Sequence, residues 1–134
     1  MPLQLSNPAG LYDPQPNGYS HVATFTGPGR LVYIAGQGGE DAAGQLSPDF
    51  TAQVEQALDN LQTALASAGA GLPDVARLTV LIVDHSEQRL AVFGQALKRR
   101  WNGAMAPACT LIPVPRLALD GMLFEIEATA VLDV

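Results

Sequence analysis

Apolar residues recur at helical spacing in two stretches of the chain and alternate with polar residues in others. Phe50, Val54, Ala57, Leu58, Leu61, Leu65 and Ala68 form one apolar stripe at a period of three to four. Ser47-Pro48-Asp49 before them predicts a helix start, with serine as the cap, proline in the first turn and aspartate at the positive end of the dipole. Gly69 to Gly71 end that helix. A second helix is predicted from a Ser86 cap, burying Leu90, Phe93, Leu97 and Trp101 and stopping at Asn102-Gly103. Lys98, Arg99 and Arg100 fall in its last turn, where cations complement the negative end of the dipole.

Strands are predicted around these helices. Asp74 to Val83 sets Ala76, Leu78, Val80 and Ile82 on an apolar face, with Val75, Arg77, Thr79, Leu81 and Val83 opposite. Met122 to Leu132 repeats the pattern, with Glu125, Glu127 and Thr129 on the mixed face. Cys109 to Val114 reads as an edge or bulged strand because Pro113 cannot donate to a ladder. Val22 to Thr26 and Leu31 to Ala35 flank the turn signal Gly27-Pro28-Gly29-Arg30 and predict a β-hairpin. Residues 7–20, rich in proline and glycine, predict an irregular lead-in.

The order is ββαβαββ, an α+β domain with two helices packed on one mixed sheet, spanning residues 1–134 as a single unit. Two strands pair a helix-facing side with a second side that is apolar but carries Arg, Thr and Glu. That second side predicts cover by another subunit.

Composition narrows the function. Apolar residues are 48% of the chain, enough for a core and too many for a disordered segment. A net charge of −6 repels nucleic acid and anionic membrane, and the dense basic run at 98–100 is already accounted for at a helix end. No apolar run reaches membrane-spanning length, and the first residues lack a basic segment followed by an apolar one, so no signal peptide is expected. The single cysteine excludes an internal disulfide and suits a cytoplasmic location. His21 and His85 lack metal-ligand spacing, and Gly36, Gly38 and Gly39 are followed by no Lys-Ser/Thr pair, so neither a metal nor a phosphate-bound cofactor is expected.

Several segments in order resemble the YjgF/RidA family: Gly18-Tyr19-Ser20, Ile34-Ala35-Gly36-Gln37, Phe50 to Leu61 with Gln53 and Asn60, Val75 to Val80, Pro107-Ala108-Cys109-Thr110, and Glu125-Ile126-Glu127-Ala128. The resemblance implies a chorismate-mutase-like fold of the AroH type and a homotrimer whose sheets face inward, with ligand clefts between subunits. It also implies hydrolysis of imines or enamines with release of ammonia. By the same resemblance the cleft residues are Tyr19, Ala35, Gly36, Gln37, Cys109 and Thr110, with Glu125 as the catalytic group. Three departures matter. Cys109 stands where imine-hydrolysing members carry an arginine that grips the substrate carboxylate, Ala35 stands where they carry a serine, and Gly94 stands where they carry an asparagine. Arg116 and Arg30 are the candidate substitute cations.

Three functions compete at this point. One is a small-metabolite deaminase acting on a less anionic substrate, and one is a non-catalytic binding or interaction protein on the same scaffold. The third is a ribonuclease, which the acidic balance and the absence of a histidine pair disfavour. Cys109 as a nucleophile would need an activating base or cation beside it. Its plainer reading is a small buried apolar group.

Overall fold

The computed structural model describes residues 3–133. The elements are β1 (Leu3–Ser6), β2 (Val22–Phe25), β3 (Arg30–Gln37), α1 (Phe50–Ser67), β4 (Val75–Val83), α2 (Glu87–Trp101), β5 (Ala108–Val114) and β6 (Phe124–Leu132). The main sheet has four strands in the order β3-β6-β4-β5, antiparallel except for the parallel β4–β5 pair. Both helices contribute to one core with this sheet, so the predicted α+β layering of two helices on a mixed sheet holds.

Both helices start on side-chain caps. Ser86 accepts from Arg89 N as expected, but α1 is capped by Asp49, whose Oδ2 accepts from Ala52 N. Ser47 instead accepts from Asp49 N at 3.1 Å and so fixes the capping residue. The apolar stripe of α1 from Phe50 to Leu65 is buried. Asn102, in the left-handed conformation with φ 49°, terminates α2. Arg100 then reaches across to Glu55 at 2.8 Å and Asp59 at 2.7 Å, and Arg99 also reaches Glu55. The basic run therefore staples α2 to α1.

The predicted hairpin is not formed. β2 pairs with β1, with Leu3 opposite Phe25 and Ser6 opposite Val22, while β3 pairs with β6. The glycine-rich segment 27–30 forms a bend without a closing hydrogen bond, and turn chemistry does not choose the partner. β3 completes the buried face beside β6, and β2 finds its edge in an N-terminal strand that lacks a distinctive pattern. The lead-in then crosses the sheet end, where Ser20 bridges Ala108 in parallel.

One face assignment on β4 also changes. The register with β6 shifts between Val75 and Arg77, so Ala76 is the extra residue of a bulge. Val75, at 1% exposure, takes the core position that strict alternation gives to Ala76. Leu78, Val80 and Ile82 are in the core as expected. The face away from the helices leaves Tyr33 74% and Leu31 55% exposed, with Ile112 at 44% on β5. No helix of the described residues is long and apolar enough to cross a membrane.

Candidate functional site

Glu125 projects from β6 on the face turned away from the helices, level with Leu81 of β4. Opposite it, β3 loses register between Ile34 and Gln37, so Ala35 and Gly36 bulge. A Cβ on Gly36 would lie 2.5 Å from Glu125 Oε1, so only glycine leaves room for the carboxyl there. Gln37 Nε2 folds back to donate to the Ala35 carbonyl at 3.0 Å.

The segment after β3 is held by α1. Asn60 Nδ2 donates to the Gly38 and Glu40 carbonyls at 3.0 and 2.8 Å. Fully buried Gln53 donates to the Ser47 and Gly121 carbonyls and accepts from Leu123 N. Glu40 Oε1 is buried with no hydrogen-bond partner among the described residues. Burial pushes the Glu125 carboxyl above its ordinary range, and the negative charges of Glu127 and Glu40 push the same way. A carboxyl so placed holds its proton to higher pH than an ordinary one.

Cys109 belongs to the other side of the sheet. It is level with Leu78 and packs on the core, in a cavity of about 210 Å³ with Tyr12, Tyr19, Leu90, Phe93, Leu97 and Leu111. Burial pushes its thiol up to about 12, against a smaller opposing pull from Arg77. A thiol in that state remains protonated at neutral pH, which agrees with Cys109 as a small apolar wall residue. Gly94 makes the cavity's edge possible in a different way. It lets the lead-in lie directly on α2, where a Cβ would meet Asn17 O at 3.3 Å.

The cleft residues therefore fall into two groups within one chain. Ala35, Gly36, Gln37 and Glu125 meet at the β3–β6 bulge. Tyr19 and Cys109 meet under the lead-in, two strands away, and Thr110 faces out beside Arg77 and His21. Neither candidate substitute cation reaches either group. Arg30 donates to the Ala68 carbonyl, and Arg116 is held by Asp120 and the Leu117 carbonyl. Near Cys109, Tyr12 carried no signal in the sequence, and His21 is a hydrogen-bonded residue as expected. The Tyr12 hydroxyl hydrogen-bonds that of Tyr19, and the His21 ring packs edge-on against both rings while its Nε2 bonds the Tyr12 carbonyl at 2.8 Å. Tyr12 shared with Tyr19 only its place in the same lead-in. His85 Nδ1 is buried with no partner among the described residues.

This architecture, helices on one side of a mixed sheet and a glycine-spaced carboxyl on the other, defines a chorismate-mutase-like α+β domain of the Rid type. The chain belongs to the Endoribonuclease L-PSP family, also called YjgF/Rid, whose model matches residues 13–132. It is 36% identical over 104 residues to the rat 2-iminobutanoate/2-iminopropanoate deaminase, covering 76% of this chain and 73% of that protein. The structure of YyfB from Yersinia pestis, a Rid protein of unknown function, superposes with a TM-score of 0.93 at 39% identity, over 98% of this chain and 100% of that one. The YjgF product of Escherichia coli superposes with a TM-score of 0.69 at 27% identity, over 79% and 84% of the two chains.

Proposed function

We propose that this chain assembles as a homotrimer in the cytoplasm. It binds a small metabolite between subunits and hydrolyses an imine or enamine substrate with release of ammonia. The observation that carries this reading is Glu125, a carboxyl biased toward its protonated form and given its space by Gly36. The exposed apolar residues on the same sheet face, Leu31, Tyr33 and Ile112, support a neighbouring protomer there. In the proposed trimer with inward sheets, the Glu125 group of each protomer would lie toward its neighbour.

The chemistry balances as C=N plus water to C=O plus ammonia. Water adds to the imine carbon and its protons pass to nitrogen; the C–N bond then breaks and ammonia leaves. An enamine enters by protonation at carbon to give the imine. Glu125 supplies the proton to nitrogen and regains one from the adding water. Deaminase chemistry of this kind is named for the rat relative. The substrate differs from 2-iminopropanoate, because Cys109 offers a carboxylate no guanidinium. Leaving one buried charge unpaired costs about 3–5 kcal/mol, a hundredfold or more in affinity.

The test is ammonia release from imines generated in situ, comparing the native chain with Glu125→Gln, alongside light scattering for the mass in solution. Equal rates in the two proteins would exclude Glu125 as the proton donor. A 2-iminopropanoate turnover matching the rat enzyme would exclude the altered substrate.

A further inference from the structure

The cavity beside Cys109 has walls that specify what fills it. Leu90, Phe93 and Leu97 of α2 and Cys109 and Leu111 of β5 make an apolar floor, and Asn17 with the hydrogen-bonded Tyr12 and Tyr19 makes its polar rim. Its volume is about 210 Å³. A dry cavity on the order of 150 Å³ lined by Leu, Ile and Phe accepts benzene, so this one has room for a ring or a branched aliphatic group. It is smaller than the roughly 300 Å³ at which whole-ligand pockets begin, so it takes a substituent and leaves the rest of the molecule outside.

Charge points the same way. Arg77, the cation that acts on Cys109, lines the adjoining cavity with Cys109, Tyr19 and His21 but does not line this one. A carboxylate pushed into the apolar floor would lose its water without gaining a partner. An aromatic or branched group gains from burial and from the Phe93 ring.

We infer that this cavity is a specificity pocket for an uncharged aromatic or branched aliphatic substituent, so that the substrate is an imine or enamine bearing such a group. Tyr12 belongs to this pocket as a rim residue, and its hydroxyl holds that of Tyr19 toward the polar part of the ligand. The inference rests on the deaminase reading for its chemistry but not for its binding.

Two measurements keep the two apart. Phenylacetone and pyruvate, the ketone analogues with and without the apolar group, are titrated calorimetrically against the native protein, Cys109→Arg and Leu90→Ala. Phenylacetone should bind the native protein at least about tenfold tighter than pyruvate, and Leu90→Ala should weaken it by about tenfold. Cys109→Arg should reverse the preference. Leu90 is half-buried, so its variant tests the pocket even if arginine at 109 does not fold. Ammonia release is then measured with the imines of the same two ketones. Phenylacetone binding without turnover would support the pocket and sink the deaminase reading. Turnover of both imines at equal rates, or equal affinity for both ketones, would overturn the pocket.

Discussion

Gly36 and Glu125 occupy facing positions in which a single added carbon would strike the carboxyl at 2.5 Å. The contact is with the far end of a flexible side chain, not with backbone. Gly36→Ala should therefore displace the Glu125 carboxyl and leave the fold intact. Ammonia release should fall by about tenfold or more, since misplacing a proton donor forfeits much of its roughly hundredfold contribution. The melting temperature should stay within a few degrees of the native value; a large drop would place Gly36 in the fold's stability instead.

Removing the carboxyl itself has a larger effect and a pH signature. Glu125→Gln should lower the rate by about 10²–10⁴-fold. In the native chain the Glu125 pKa is raised in the folded state, so its contribution to stability is full below the unfolded pKa and is lost as pH rises through the folded one. Rate should fall over the same upper limb. Glu127→Gln removes one repelling charge, so it should move that limb to lower pH. A pH–rate profile of each protein checks both.

Gln53 is 0% exposed and satisfies the Ser47 and Gly121 carbonyls and Leu123 N. Gln53→Ala orphans those three groups and opens a void against Gly39, whose absent side chain lets the loop lie on the Gln53 backbone. A loss of about 2–4 kcal/mol is expected in urea unfolding.

The two arginines at the end of α2 differ despite being neighbours. Arg100 bonds Glu55, Asp59 and Gln62 and is 18% exposed, whereas Arg99 touches only Glu55 and is 60% exposed. Burial pushes the Glu55 carboxyl up, and the Arg100 and Arg99 hydrogen bonds more than offset it, so the net shift is downward. Arg100→Ala should cost about 1–2 kcal/mol and Arg99→Ala under about 0.5 kcal/mol, measured by chemical denaturation.

Tyr33, 74% exposed beside Thr129 on the open face, tests assembly. Tyr33→Asp should shift the mass in light scattering from that of the proposed trimer toward the monomer and make the melting temperature depend on concentration. An unchanged mass would put the interface elsewhere.

The helices and the final strands were legible because their signals are local or periodic. The α1 stripe, the Ser86 cap and the alternation from Phe124 to Ala130 each appear in the residues that form them. Glu125, Gly36 and Cys109 were also named in advance by motif. What the chain order did not carry was pairing and facing. Val22 to Phe25 seeks any free strand edge, and nothing nearby says that Leu3 to Ser6 supplies it. The Ala76 bulge shifts a face by one residue, a change alternation alone cannot register. Cys109 and Glu125 look like one site in a motif list, yet β4 lies between their strands and the sheet turns them to opposite sides. Periodicity fixes which side of an element is apolar, because burial is a property of each residue's own side chain. Which elements then meet, and which groups share a pocket, depends on contacts between residues far apart in the chain, and only the packed structure decides those.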